Sequence, residues 1–217
     1  DVVGSGGRKT VTKLLRDLKS ELNIDFVTLQ GENLAAGIGL TVDTVAEMVE
    51  AGANVLTTGN HVWDKRDFIE HLDDPYLPVL RPLNYPPSAP GRGATDDSGP
   101  VAVINLIGRV WVGEFDSPFA VVDDLLAGGF GQGKPIVVDF HAEATSEKAA
   151  LAWHLDGRVA AVVGTHTHVP TSDNKILPGG TGFVTDLGMV GAVDSILGVE
   201  VEGSLGRFLA GYRQRMQ

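Results

Sequence analysis

The chain has 217 residues, 43% hydrophobic and 21% charged, a composition that suits a folded globular chain. It contains no cysteine, which excludes disulfide scaffolds, thiolate metal sites and cysteine nucleophiles. A formal charge of −11 argues against gripping long nucleic acid, and no apolar run approaches the roughly 18 residues of a membrane span, so a cytoplasmic protein is expected.

The opening Asp1-Val2-Val3-Gly4 reads as a strand-to-loop junction, so a strand is expected to precede Asp1. Apolar residues at Val11, Leu14, Leu15, Leu18 and Leu22 recur at helical spacing, giving a helix over 9–22. A strand over 25–30 follows. Thr41 is a natural N-cap for a helix carrying Thr44, Val45, Met48 and Val49 on one face and stopped at Ala51-Gly52. Next come a strand over 54–57 and a helix from about 64.

The Pro- and Gly-rich stretch 80–99 reads as an ordered loop. Beyond it, strands are expected over 101–106, 135–140 and 159–163, with helices over 118–127 and 146–155 between or after them. Short strands over 175–177 and 182–185 and a helix over 203–213 complete the pattern. Alternation of this kind predicts an α/β chain, with a largely parallel or mixed sheet flanked by helices, as one domain over 1–217.

Polar ligand types close successive strands. Gly31-Glu32-Asn33 follows 26–29, Gly59-Asn60-His61 follows 54–57, His141 follows 135–140, and Gly164-Thr165-His166-Thr167-His168 follows 159–163. One such pair of histidines reads as well as two solvated loop imidazoles. Recurrence changes that, because parallel strands present their carboxyl ends to a common crevice. In an extended segment His166 and His168 share a face, so one metal centre or two neighbouring ones can take both.

Other residues have simpler readings. His71 and His154 lie on helical patterns, as surface or interface residues. Asp139 is best read as a strand residue bonded to backbone, Asp186 and Asp194 as turn formers, and Arg81, Arg92 and Arg109 as partners in exposed salt bridges. Glu143 reads as ambiguously as Asp139. Gly4 to Gly7 lacks the ending of a phosphate-binding P-loop and reads as close backbone approach to the metal pocket.

The order of motifs, from Asp1-Val-Val-Gly through Glu32-Asn33, Gly59-Asn60-His61, Asp139-Phe-His141 and His166-Thr-His168 to Leu177-Pro-Gly-Gly-Thr181, resembles the binuclear metallophosphoesterases. It is most similar to the YmdB-like branch, bacterial 2′,3′-cyclic-nucleotide phosphodiesterases. Val3 stands where most metallophosphoesterases carry a histidine, and Glu32 where they carry a bridging aspartate; both departures fit that branch.

The resemblance implies the calcineurin-like metallophosphoesterase fold, layered β-sheets flanked by helices with the metal site at strand carboxyl ends. It implies that Asp1, Asn33 and His168 hold one metal, that Asn60, His141 and His166 hold a second, and that Glu32 bridges them. It favours iron, with Mn or Zn as substitutes, in two divalent or mixed-valent ions. The implied reaction opens a 2′,3′-cyclic nucleotide to a 3′-nucleotide by attack of metal hydroxide, with His61 as general acid. A broader phosphomonoesterase or phosphodiesterase, or a regulatory interaction protein with a structural metal site, are the alternatives. The resemblance also implies a homo-oligomer whose partner is a small cyclic nucleotide and not a membrane.

Overall fold

The computed structural model describes residues 1–211. Its elements, in chain order, are α1 (Gly4–Glu21), β1 (Thr28–Gln30), α2 (Val42–Ala51), β2 (Val55–Thr57), a 3-10 turn (Asn60–Trp63), α3 (Arg66–Ile69), β3 (Val79–Leu80), β4 (Ala94–Thr95), β5 (Ala102–Ile107), α4 (Pro118–Ala127), β6 (Ile136–His141), α5 (Thr145–His154), β7 (Ala161–Thr165), β8 (Lys175–Ile176), β9 (Gly182–Val184) and α6 (Val201–Ala210). Residues 212 and 213 of the helix expected over 203–213 lie outside the described residues. Among the described residues no helix is long and apolar enough to cross a membrane.

Local chemistry sets several boundaries. Thr41 accepts from the Thr44 backbone N–H at 3.3 Å while the Thr44 hydroxyl accepts from Thr41 N at 2.9 Å, a reciprocal cap that starts α2. Ser117 caps α4 ahead of Pro118, whose missing N–H costs nothing in a first turn. α1 starts at Gly4, five residues earlier than its apolar spacing indicates. Gly7 lies within it because a Cβ there would meet the Val190 carbonyl oxygen at 2.3 Å; the close approach is to that strand-like segment and not to the metal pocket. The α1 stripe is only partly covered, since Leu14, Leu18 and Leu22 are exposed. The expected loop over 80–99 contains β4, paired antiparallel to β5.

Strands β1, β2 and β3 form a parallel three-stranded sheet. The second sheet has the order β4-β5-β6-β7-β9-β8, parallel from β5 through β9 and antiparallel at both edges. Period-two alternation fixes which face each residue joins. Ile104, Leu106, Val138, Phe140 and Val162 pack outward with Val122 of α4 and Leu151 of α5, whereas Leu29 and Leu56 pack outward with Val45 and Met48 of α2. The alternate residues face the seam between the sheets.

That seam changes character along the strands. At its start Val55, Leu80 and Val103 pack together as an apolar cluster. Towards the carboxyl ends the seam becomes polar: Asn105 donates to the carbonyls of Thr58 and Leu80 at 2.9 Å each, Thr57 bonds Asp139, and the Gln30 amide lies 3.1 Å from His141 Nδ1. Burial holds the sheets together at one end, where each fully buried aliphatic side chain contributes roughly 1.5–3 kcal/mol. At the other end every buried polar atom needs a partner.

Candidate metal centre

The polar end of the seam gathers side chains from four strand ends. His141 is the last residue of β6 and fully buried. Its Nδ1 lies 3.0 Å from the Thr165 hydroxyl, which itself donates to Asp139 Oδ1 at 2.8 Å. Gln30 Nε2 lies 3.1 Å from the same Nδ1, so both side chains hold the ring by this nitrogen and turn Nε2 the other way. Nε2 lies 3.0 Å from Glu32 Oε1 and 3.0 Å from His166 Nδ1.

Glu32 is 1% exposed. Its backbone N–H donates to Gln30 Oε1 at 3.1 Å, and its Oε2 accepts the His61 N–H at 3.0 Å. Burial by itself raises the Glu32 carboxyl, but the charge and bond of His141 overcome it and bring the pKa down to about 2. Gly59 completes the packing: a Cβ there would lie 2.1 Å from His141 Cδ2 and 2.5 Å from Glu32 Oε2, so this position admits glycine alone.

A second group sits beside the first. Asn33 Nδ2 is 3.4 Å from Asp1 Oδ1, 3.5 Å from Glu32 Oε1 and 3.2 Å from His168 Nε2. His168 Nδ1 donates to the Leu197 carbonyl at 3.1 Å, so in the neutral ring Nε2 carries the free lone pair. Asp1 Oδ2 accepts the backbone N–H of His166 at 3.0 Å. Burial lowers the pKa of both strand-end histidines. That of His166 falls to about 4 with the charge of His141 adding to the effect.

His166 and His168 do not share a face of an extended strand. Their φ angles are 101° and 65°, so the segment turns through left-handed backbone and delivers the two rings to different groups. Such conformations cost of order 1–3 kcal/mol each and persist only when neighbours impose them. Here Asp186 imposes them, accepting from Thr167 N at 3.1 Å and Thr167 Oγ1 at 2.8 Å, while Lys148 Nζ pairs with it at 2.8 Å. Both charged groups are buried, so Asp186 is more than a turn former. Its carboxyl is raised by burial but brought below its ordinary value by Lys148 and these donors.

Other expectations also change. Asp139 bonds the hydroxyls of Thr57 and Thr165 instead of backbone, and burial raises its pKa. Arg81 is buried, donating to the carbonyls of Pro82, Leu83, Ala89 and Pro90 and not to an exposed carboxylate. Glu143 reaches His166 Nε2 at 3.3 Å.

His61 stands at the edge. Its Nδ1 contacts the Asp64 carboxylate, and its side chain lines a cavity of about 960 Å³ together with Glu32, Asn33, His166 and His168. Asn60 Oδ1, like Asn105 Oδ1 in the seam, is buried without a hydrogen-bond partner. Residues Gln30, Thr165, Lys148 and Asp186 are not among those the sequence places at the site. Lys148 alone carries a signal, as a cation one turn before the buried Leu151 and Ala152 on the covered face of α5.

The donor set fits a cation. Glu32, His141 and His166 each offer one ligand atom within 4.8 Å of the others. A metal ion would be shared by all three, and it would also answer the orphaned oxygen of Asn60.

Comparison with known proteins agrees with this fold. The model of the YmdB-like protein family matches residues 1–217. A Bacillus subtilis (strain 168) protein named 2′,3′-cyclic-nucleotide 2′-phosphodiesterase is 47% identical over 212 residues, covering 96% of this chain and 80% of that protein. A crystal structure of a hypothetical protein from Thermus thermophilus superposes with a TM-score of 0.90 at 42% identity, over 99% of this chain and 84% of that one. A crystal structure titled as a novel phosphatase of Mycoplasma pneumoniae does so with a TM-score of 0.90 at 35% identity, over 99% and 79%. On these matches, which span the chain from end to end, the protein belongs to the YmdB-like family.

Proposed function

We propose that the protein hydrolyses 2′,3′-cyclic nucleotides to 3′-nucleotides, using two metal ions held at the polar end of the seam. The observation that carries this reading is the convergence of Glu32, His141 and His166, from the ends of three strands, with one ligand atom of each within 4.8 Å of the others. Asp1, Asn33 and His168 would hold one ion, Asn60, His141 and His166 the other, and Glu32 both. When bound, the metals supply positive charge for the phosphoryl oxygens and acidify water. Oxygen and imidazole donors in a chain without cysteine suit Fe, Mn or Zn alike, and the family resemblance favours iron.

The chain's own groups do the rest. His61 faces the cavity with its Nδ1 tied to Asp64, which fixes the ring. Nε2–H then donates its proton to the departing 2′ oxygen, so that the phosphate stays on the 3′ oxygen. His141 is oriented through Nδ1 by Gln30 and by Thr165, itself bonded to Asp139, so that Nε2 is the nitrogen turned towards Glu32 and a metal.

The test is hydrolysis of adenosine 2′,3′-cyclic phosphate with the product identified, beside elemental analysis of the purified protein. His61→Ala is expected to lower kcat about 10²–10⁴-fold while metal content stays the same. Turnover of p-nitrophenyl phosphate alone would replace this reading with a general phosphomonoesterase.

Acid sensitivity of the chelator-treated protein gives a second check. A histidine whose pKa is about 4 when folded and 6.5 when unfolded binds fewer protons in the native state between those values. Stability from this group is therefore fully present above 6.5 and lost as pH falls towards 4. Asp139, with its raised pKa, works in the opposite direction, so the comparison must isolate His166. Urea denaturation should show wild type gaining of order 3 kcal/mol relative to His166→Gln from pH 4 to 6.5.

A further inference from the structure

The charge lining the cavity bears on which nucleotides can enter, an inference that rests on the cyclic-nucleotide reading. Besides the histidines and the buried Glu32, the charged side chains along the cavity wall are Glu143, Glu200 and Glu202, all exposed. Among the described residues no lysine or arginine lines it. Of the cations nearby, Arg8 is bound to Glu47 and the Leu34 carbonyl, Lys148 is buried against Asp186, and Lys65, packed on Gly39, lines a separate pocket with Asp43, Asp64 and Asp67.

Each glutamate has a local explanation. Glu200 and Glu202 sit at the N-terminus of α6, where carboxylates favour the helix dipole, and Glu143 touches His166. Magnitudes decide against a neutral wall. The helix end offers about half a positive charge against two full negative ones. The proposed metals would neutralise a phosphate at the cavity floor, but no described lysine or arginine on the wall neutralises a second one.

We propose that this acidic wall selects nucleosides carrying the cyclic phosphodiester as their only phosphate and rejects those with an additional one, such as 5′-phosphorylated nucleotides or the 3′ ends of oligonucleotides. A 5′-phosphate brings roughly −1.5 to −2 charge at pH 7. Apart from the histidines, each charged group it meets on the described wall is a carboxylate. The known benefit of a like-charge surface is this kind of discrimination between partners.

The experiment compares kcat/KM for adenosine 2′,3′-cyclic phosphate with that for its 5′-phosphorylated counterpart, using Mn²⁺-loaded full chain. Wild type is expected to prefer the former about 10-fold or more at low ionic strength, and the preference should shrink towards 1 M salt, where the Debye length is about 3 Å. Glu200→Gln with Glu202→Gln should narrow the preference about 3-fold by improving the doubly phosphorylated substrate. Calorimetric binding of adenosine 3′-monophosphate and adenosine 3′,5′-bisphosphate reads the same selection without turnover. Equal kcat/KM values, a preference unmoved by the double variant, or equal binding of the two products overturns the filter. Absence of hydrolysis with selective binding intact overturns the catalytic reading instead.

Discussion

Glu32→Gln is expected to lower hydrolysis of a 2′,3′-cyclic nucleotide by about 10³-fold or more, several kcal/mol of lost charge stabilisation, and to lower Mn²⁺ affinity sharply. The metal-free protein should fold about as well as wild type. The amide preserves shape: its oxygen accepts the His61 N–H, as Glu32 Oε2 does at 3.0 Å, and its NH₂ donates to His141 Nε2, 3.0 Å from the present Oε1. A satisfied amide exchanged for a satisfied carboxylate changes stability by about 1 kcal/mol. What disappears is the anion between the two groups of donors, Asp1, Asn33 and His168 on one side and His141 and His166 on the other. The measurements are calorimetric Mn²⁺ titration, steady-state kinetics and urea denaturation in chelator. Full activity with a full metal load would remove Glu32 from its central place.

The framework of this site is legible in the chain because strand periodicity and polar strand ends are local signals. Glu32, Asn60, His141 and His166 each close an apolar run; parallel pairing carries the first two to one edge and the last two to another, and packing of the two sheets brings the edges together. The supporting groups are harder to see. Gln30 and Thr165 are ordinary strand residues whose importance lies in contacts with His141 across 111 and 24 positions. The turn at His166 escapes for a related reason: its positive φ is imposed by Asp186, twenty residues later, and nothing in Gly164-Thr165-His166-Thr167-His168 itself demands left-handed backbone. Short pieces such as β3 and β4 escape because two residues carry no periodicity. α1 shows the converse, since Leu14 and Leu18 keep helical spacing yet remain exposed, so periodicity identifies the helix but not the extent of its burial.

Lys148→Met is expected to destabilise the protein by about 3–5 kcal/mol, the usual consequence of stranding one partner of a buried ion pair. Lys148 and Asp186 are 0% and 1% exposed in their side chains, with Nζ 2.8 Å from Oδ2, so neither is relieved by solvent. Without the lysine, Asp186 keeps donors from Thr167 and Gly188 but no opposite charge, and burial pushes its carboxyl upward. Asp186→Asn added to Lys148→Met removes the stranded charge while keeping one acceptor for the Thr167 turn. The double variant should therefore recover part of the loss, and its departure from additivity measures the coupling. Denaturant unfolding of the four proteins supplies the cycle. A single-variant loss under about 1 kcal/mol would mean that water reaches Asp186 and that the His166–His168 backbone stands without this pair. A large loss recovered by the double variant ties the left-handed turn, and with it the direction of both imidazoles, to a charge pair anchored on α5.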